Sequence, residues 1–229
     1  MILVEKVLLC WSGGKDSALA LYEIQRAGGY EVVALLTTVT EDYDRISMHG
    51  VRRCLLEQQA ASLGLPLEIV FIPKDCSNEV YELRMRDALH KMKSRGVSTI
   101  VFGDIFLEDL WKYRKANLER IGLKAVFPLW KQNTVDLAHR FINLGFKAVL
   151  ACVDNHHLDG SFAGRLFDEE LLSQLPSSAD PCGENGEFHT FVFDGPIFQR
   201  PVLFKVGETV LRDNRFYYCD LVPSSHAIP

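Results

Sequence analysis

Short apolar runs alternate with longer amphipathic segments along the first 130 residues. Five runs are almost wholly apolar, as expected of strands buried on both faces of a parallel sheet, and they cover residues 7–11, 31–39, 67–72, 99–102 and 124–129. The segments between them have apolar residues at helical spacing, which predicts helices at about 15–27, 51–62, 77–95 and 107–121. Glycine follows each of these helices, as is common at helix ends.

This alternation predicts an α/β fold with a doubly wound parallel sheet of five to six strands and helices on both faces. Ligands of such sheets bind beyond the carboxyl ends of the strands. Three stretches of the chain fall at that edge: the glycine-containing turn after the first strand, Leu36-Thr37-Thr38 after the second, and Gly103-Asp104 after the fourth. We therefore expect the ligand site there.

The pattern changes after residue 130. The C-terminal part predicts a helix at 134–144, a strand at 147–153, a short helix at 167–175 and short β-like runs at 188–193, 202–206, 209–212 and 216–221. We predict two domains, a nucleotide-binding domain at 1–130 and a smaller α+β domain at 131–229. The second domain is expected to cover the ligand edge and to contribute to an acceptor site.

Composition narrows the class of protein. The chain has 229 residues, of which 48% are hydrophobic and 24% charged, and a net charge of −5. This charge predicts no general attraction to nucleic acid or to anionic membranes. The sequence has no apolar run of the ~20 residues that a membrane helix needs and no signal-peptide pattern. Six cysteines without a C-x-x-C pair are typical of a reduced cytoplasmic protein.

The turn after the first strand carries the densest chemistry, in the sequence Cys10-Trp11-Ser12-Gly13-Gly14-Lys15-Asp16-Ser17. The two glycines allow the backbone to approach an anion, and the following helix directs its free N–H groups at that anion. The lysine and the two serines add donors, whereas the aspartate requires a divalent cation or a loop N–H. The pattern is not a Walker A loop. An ordinary strand–helix turn is the alternative, but it has no need for Lys-Asp between serines.

A second polar stretch follows a loop rich in proline and glycine. Residues 181–191 read Pro-Cys-Gly-Glu-Asn-Gly-Glu-Phe-His-Thr-Phe, which places Glu184, Glu187 and His189 within six residues. Two carboxylates and a histidine on a loop that enters a strand could orient an acceptor, hold Mg²⁺ or move a proton. A loop with no function beyond connecting two elements is the alternative.

Both stretches resemble a known family. The S-G-G-K-D-S turn resembles the PP-loop, or N-type ATP pyrophosphatase, family, whose members cleave ATP to AMP and pyrophosphate while adenylating an acceptor. The later stretch, with Asp194-Gly195-Pro196-Ile197-Phe198, resembles the C-G-E-x-G-E-[FY]-x-T-F and D-x-P-x-F signatures of diphthine–ammonia ligases and their relatives. Further matches in order are Phe102–Ile105, Phe127–Trp130, Leu158-Asp159 and Gly164-Arg165, so the resemblance spans residues 6–200.

The resemblance implies an ATP- and Mg²⁺-dependent ligase that amidates a carboxylate with ammonia. The first-choice acceptor is diphthine, a modified histidine of translation elongation factor two. The residues expected to bind ATP are Ser12, Gly13, Gly14, Lys15, Asp16, Ser17, Leu36, Thr37, Thr38, Gly103 and Asp104. Those expected to hold Mg²⁺ are Asp16 and Asp104, and those expected in catalysis are Lys15, Asp16, Glu184, Glu187 and His189, with Thr190 beside them.

Two segments depart from the family pattern. Residues 47–51 read Ser-Met-His-Gly-Val where the family has Met-aromatic-[HQ]-Thr-Val, and Arg114 is followed by Lys-Ala where the family has R-x-E. Two other functions stay open. One is a PP-loop enzyme that adenylates another acceptor, a small molecule or a tRNA; the other is an ATP-binding module without turnover. A homodimer is one assembly that the sequence allows.

Overall fold

The computed structural model describes residues 4–224, so the outer ends of the two predicted domains, 1–3 and 225–229, lie outside the described residues. The N-terminal part alternates strands and helices as predicted. Its elements are β1 (Glu5–Cys10), α1 (Lys15–Ala27), β2 (Tyr30–Thr40), β3 (Arg45–Ile46), α2 (Arg53–Leu63), β4 (Leu67–Ile72), α3 (Asn78–Ser94), β5 (Thr99–Val101), α4 (Glu108–Arg120) and β6 (Lys124–Val126).

Five of these strands form a parallel sheet in the order β4-β2-β1-β5-β6. The chain moves from β1 outward through β2 to β4, and then returns to place β5 on the other side of β1. Strands β1 and β5 are therefore neighbours, and the connections that follow them run in opposite directions from their adjacent carboxyl ends. This is the topological switch point at which open α/β sheets bind ligands, and the predicted fold class is confirmed.

The short strand β3 was not predicted. It pairs antiparallel with the end of β2 through Val39 and Ile46, beyond the point where β1 has ended. The sequence here is polar and predicts only a turn, because a two-residue strand is too short for an alternating pattern. Its effect is to carry residues 47–50 back over the turn that follows β1.

The C-terminal part contains a second, antiparallel sheet. Its elements are α5 (Thr134–Asn143), β7 (Lys147–Asp154), a 3₁₀ turn (Gly160–Phe162), α6 (Glu169–Gln174), β8 (Phe188–Asp194), β9 (Phe204–Arg212) and β10 (Phe216–Pro223), with the strand order β8-β7-β10-β9. The predicted runs 202–206 and 209–212 are one strand. Gly207 does not break it, because the absent side chain leaves room for the Asp220 carbonyl: a Cβ would lie 2.9 Å from that oxygen.

One hydrophobic core joins the two sheets. Leu21 of α1, Leu55 of α2 and Phe141 of α5 pack in the same cluster as Phe191 of β8 and Leu221 of β10, and all five are almost fully buried. A separate cluster covers the opposite face of the parallel sheet beneath α3 and α4. The division into domains at residue 130 stays a prediction.

An ion-pair cluster also joins the sheets. Asp220 of β10 accepts hydrogen bonds from Arg52 Nε at 3.0 Å and Arg52 Nη2 at 2.7 Å, and from Arg45 Nη2 at 2.9 Å. The Arg52 hydrogen bonds are the first cause that lowers the pKa of Asp220, to about 2. Within residues 4–224, no helix combines the length and the hydrophobicity that crossing a bilayer requires.

Candidate active site

A buried glutamine of α2 holds the turn after β1 in place. Gln59 of α2 has no exposed surface and donates Nε2 to the Gly13 carbonyl at 3.0 Å, while its Oε1 accepts from Trp11 Nε1 at 2.8 Å. Gly13 has φ of +77°, and a Cβ there would lie 2.8 Å from Gln59 Oε1. The position therefore requires glycine both for its backbone conformation and for the approach of this side chain.

Strand β8 fixes the same turn from the other side. The Gly13 carbonyl accepts from the Val192 N–H at 2.8 Å, and the Lys15 N–H donates to Thr190 Oγ1 at 3.0 Å. Gln59 Nε2 also donates to the Val192 carbonyl at 2.6 Å. The glycine turn of the parallel sheet is thus held in shape by a strand of the antiparallel sheet.

The end of β5 approaches the start of α1 very closely. A Cβ on Gly103 would lie 2.8 Å from the Asp16 carbonyl carbon and 3.0 Å from Ser17 N. Backbone atoms cannot move aside as a flexible side chain can, so any larger residue at 103 would push the turn away from β5. This contact places Asp104 beside the first turn of α1.

These elements enclose a cavity of about 710 Å³ at the carboxyl edge of the parallel sheet, within the ~300–1,000 Å³ typical of small-molecule sites. Twelve predicted residues line it: Ser12, Lys15, Asp16, Ser17, Leu36, Thr37, Thr38, Gly103, Asp104, Glu184, His189 and Thr190. Gly13 and Gly14 shape the turn without lining the cavity. Glu187 does not line it either.

Lys15 and Asp16 form an ion pair in the wall of this cavity. Lys15 Nζ lies 2.9 Å from both Asp16 carboxylate oxygens and also donates to the Cys182 carbonyl. Burial alone would lower the pKa of Lys15, but the neighbouring Asp16 carboxylate prevails and raises it, so the ammonium is maintained. Burial raises the pKa of Asp16, which Lys15 opposes. Cys182 itself is a buried neutral thiol, because burial raises its pKa to about 12.

Asp104 is paired with an arginine that the sequence analysis did not assign to the site. Arg114 Nε of α4 lies 2.9 Å from Asp104 Oδ2, although its N–H is not directed at that oxygen. Burial raises the pKa of Asp104, Arg114 opposes this, and the negative charge of Asp16 raises it further. Asp16 and Asp104 are therefore close enough to repel each other within one cavity.

The two glutamates of the 181–191 stretch have different surroundings. Glu184 Oε1 accepts from the Ile105 N–H at 2.8 Å and the Phe106 N–H at 3.2 Å, so it joins the loop to the segment after β5. Burial raises the pKa of Glu184, with these N–H groups opposing.

Glu187 is committed to its own loop. It is 1% exposed, and its oxygens accept from the Asp180 N–H at 2.8 Å, the Asn185 N–H at 3.0 Å and Asn185 Nδ2 at 3.1 Å. Burial would raise the pKa of Glu187, but these donors prevail and lower it. The structure thus does not bring Glu187 to the cavity, in contrast to the expectation of a catalytic role. Its carboxylate instead shapes the turn that presents Glu184.

His189 meets a second histidine in the cavity wall. The ring centroids of His189 and His49 lie 4.5 Å apart, and His49 Nδ1 lies 3.3 Å from the Thr190 carbonyl. Burial lowers the pKa of His189 to about 4, and burial followed by the proximity of His189 holds the pKa of His49 well below its ordinary value. Both imidazoles are therefore neutral at pH 7.

A hydroxyl on β2 has no partner. Thr37 is 4% exposed and lines the cavity, and its Oγ1 forms no hydrogen bond with any of the residues that the structure describes. A buried hydroxyl without a partner costs ~1–3 kcal/mol. A ligand bound beside β2 would supply that partner.

Sequence reasoning missed three residues of the site: Gln59, His49 and Arg114. Gln59 lies among the apolar residues of a helix, and its role depends on packing that the sequence does not display. His49 and Arg114 lie in the two segments that depart from the family pattern, and both line the cavity. Both residues stand at positions of those segments that do match the family, His49 at [HQ] and Arg114 at the R of R-x-E, and this match was the available signal.

The order β4-β2-β1-β5-β6, with an S-G-G-K-D-S turn at its switch point and a cavity above that turn, defines an α/β protein of the PP-loop class. Comparison with known families is more specific. The models of the diphthamide synthase N-terminal domain and C-terminal domain match residues 5–125 and 133–220. The chain therefore belongs to the diphthamide synthase family.

Individual relatives agree with this assignment. The chain is 28% identical over 228 residues to a diphthine–ammonia ligase of Schizosaccharomyces pombe, but it spans only 37% of that relative's length. Diphthine–ammonia ligases of Danio rerio and Homo sapiens are 26% and 25% identical. These two matches cover 89% and 87% of this chain, and 88% and 83% of the relatives.

Proposed function

We propose that this protein is an ATP-dependent ligase that adenylates a carboxylate and amidates it with ammonia, and that diphthine on translation elongation factor two is the acceptor. The observation that carries the proposal is the cavity of about 710 Å³, which twelve of the residues expected from the two resemblances line together. The relatives named diphthine–ammonia ligase support the choice of acceptor.

The N-terminus of α1 is the proposed phosphate site. Its N-cap residue, Gly14, provides no side-chain cap, and the Lys15 N–H donates to Thr190 Oγ1, so an anion can accept from the remaining N–H groups of the first turn. Ser12 and Ser17 add hydroxyls, and Lys15 adds a maintained positive charge. We place the adenine and ribose along β2, where Thr37 Oγ1 has no partner among the described residues.

The donor set of the cavity fits Mg²⁺. This ion is usually held by one or two carboxylates together with substrate phosphates, and Asp16 and Asp104 both line the cavity. Residues 4–224 contain no group of three or more His, Cys, Asp or Glu side chains placed to hold a metal ion, which agrees with a site that substrate oxygens complete. The bound ion would neutralise the charge of the departing pyrophosphate.

The chemistry then needs orientation first and a proton acceptor second. A carboxylate oxygen of the acceptor attacks the α-phosphorus of ATP, the bond to the bridging oxygen breaks, and pyrophosphate leaves. Ammonia next attacks the acyl carbon, the carbon–oxygen bond to AMP breaks, and the nitrogen loses one proton. We assign that proton to Glu184, which lines the cavity and whose pKa is raised by burial.

The histidines are proposed to orient ammonia. A neutral imidazole accepts a hydrogen bond, and both His189 and His49 are neutral at pH 7 because burial lowers their pKa. Acceptance of an N–H from ammonia would direct the nitrogen lone pair away from the ring and towards the acyl carbon. Glu187 has no direct part in this scheme.

The proposed function also includes a location in the cell. All six cysteines are unpaired, as expected of a protein in the reducing cytoplasm. We propose that the protein acts there without a nucleic-acid partner. Homodimer formation stays a prediction from the sequence.

Product analysis with the full chain tests the proposal. ATP, Mg²⁺, ammonium and diphthine-bearing elongation factor two should give AMP and pyrophosphate, and omission of the elongation factor should abolish both. In Lys15→Ala, loss of a charged donor worth ~1.5–3 kcal/mol should lower ATP affinity or turnover by about ten- to a hundredfold. AMP formation that requires tRNA instead would favour the other PP-loop function. ATP binding without any turnover would favour a binding module.

A further inference from the structure

A second cavity, of about 560 Å³, lies between α3 and α4. It shares five lining residues with the cavity described above, namely Tyr81, Met85, Phe102, Leu110 and Arg114. The two cavities are therefore separated by no more than one layer of side chains. Nothing in the proposed ATP site makes use of this second space.

The lining of the second cavity is apolar at its base and basic at its rim. Leu89 and Leu118 are buried beneath it, whereas Arg86 and Arg120 lie at its exposed side. The one acidic side chain among its lining residues, Glu82, accepts a hydrogen bond from the Tyr113 hydroxyl at 2.8 Å. The apolar base suits an aliphatic chain, and Arg114 between the two cavities suits a carboxylate on that chain.

Arg114 is the group that connects the two cavities. Its guanidinium lies over the Phe102 ring, 4.4 Å from the centroid, and its Nε lies 2.9 Å from Asp104 Oδ2. These two contacts fix the plane of the guanidinium. Two parallel N–H groups in a fixed plane are the geometry that binds a carboxylate through both oxygens.

We propose that the cavity between α3 and α4 receives the side chain of the acceptor, and that Arg114 binds its carboxylate and holds it at the opening into the ATP cavity. This inference rests on the proposed function. Asp104 acts as a positioning residue for Arg114 through Oδ2, which leaves Oδ1 for the metal. An aliphatic arm lies along the apolar base, and the protein that carries the arm remains outside the rim.

Steady-state kinetics of the full chain test this role. Arg114→Gln should raise the KM for diphthine-bearing elongation factor two by at least about tenfold, because it removes a bidentate charged contact, and this increase should exceed any change in the Kd for ATP. Arg114→Lys should recover only part of the loss. Arg84→Gln is the matched control, since Arg84 is an exposed arginine of α3 outside both cavities, and its KM should equal that of the wild type.

A second variant tests the route of entry. Asn117 lines only the cavity between the helices, and Asn117→Trp should fill that space. We expect at least tenfold lower kcat/KM for the acceptor with unchanged ATP binding. Unchanged acceptor KM in Arg114→Gln, or unchanged kcat/KM in a folded Asn117→Trp, would overturn the inference.

A direct binding measurement separates this inference from the proposed function. Hexanoate should bind the wild-type chain in NMR titrations, hexan-1-ol should bind at least tenfold more weakly, and Arg114→Gln should lose the preference for hexanoate. Equal binding of hexanoate by wild type and Arg114→Gln would contradict the carboxylate site. If the wild type binds hexanoate through Arg114 but forms no amide on diphthine, the choice of acceptor fails and the carboxylate site stands.

Discussion

The hydroxyl of Thr190 accepts a hydrogen bond of 3.0 Å from the backbone N–H of Lys15, 175 residues earlier in the chain. This contact joins β8 of the antiparallel sheet to the first turn of α1. It means that the phosphate-binding turn proposed here is not completed by the parallel sheet alone. Its geometry depends on the C-terminal part of the chain.

Thr190→Val tests this dependence. Valine preserves the shape and the β-branched character of threonine but leaves the buried Lys15 N–H without an acceptor. We expect a loss of ~1–2 kcal/mol in the free energy of unfolding, measured by urea denaturation, and a several-fold weaker Kd for ATP. Thr190→Ser retains the hydroxyl and should keep the ATP affinity near that of the wild type. Equal ATP affinity in both variants and the wild type would show that the contact does not support the site.

Glu187→Gln tests the structural role of a residue that the sequence predicts as catalytic. A glutamine has a single acceptor oxygen, so it cannot satisfy all three donors, and we expect ~1–3 kcal/mol of destabilisation. The rate of ligation should fall only as far as the folded fraction falls and as far as the loop that presents Glu184 is displaced. A decrease of 10²–10⁴ in turnover with unchanged stability, the usual scale of acid–base catalysis, would restore the catalytic assignment.

The half-buried histidine His189 predicts a specific pH dependence of stability. Its pKa is about 4 in the folded protein, against ~6.5 in an unfolded chain. As the pH falls from about 6.5 to 4, the unfolded state binds a proton that the folded state does not, so stability falls. The contribution approaches about 3 kcal/mol.

His189→Phe should reduce this pH dependence, because phenylalanine fills the ring position without titrating. Part of the dependence of the free energy of unfolding on pH should remain, since the pKa of His49 is also lowered. The check is a set of urea unfolding curves for wild type and variant between pH 7 and pH 4. Parallel stability profiles for the two proteins would contradict the assignment of a neutral His189.

Much of the fold follows from local patterns. Apolar runs such as Leu67–Ile72 and helix stops such as Gly64 are local signals, and the structure places the corresponding elements where the sequence predicts them. The short strand β3 and the continuous strand β9 could not be found in this way. The first is too short for a pattern, and the second contains a glycine whose role is contact with the Asp220 carbonyl.

The site was only partly predictable, because residue type does not reveal what a side chain touches. The sequence pattern does not distinguish Glu184 from Glu187. In the structure, Glu184 lines the cavity, whereas the carboxylate of Glu187 accepts hydrogen bonds from backbone N–H groups of its own loop. In the sequence, Gln59 is not distinguishable from other helix residues. Its role is visible only in its hydrogen bonds with Trp11, Gly13 and Val192. Such roles arise from contacts between residues distant in the chain, which periodicity does not encode.

The most direct test measures, in one reaction, the nucleotide products and the incorporation of nitrogen into the acceptor. The full chain is incubated with ATP, Mg²⁺, ¹⁵N-labelled ammonium and diphthine-bearing elongation factor two, and the products are measured by phosphorus NMR and by mass spectrometry of the acceptor. The account predicts AMP, pyrophosphate and ¹⁵N-labelled acceptor amide in equal amounts. ADP and phosphate as the nucleotide products, or AMP formed without nitrogen in the acceptor, would contradict it.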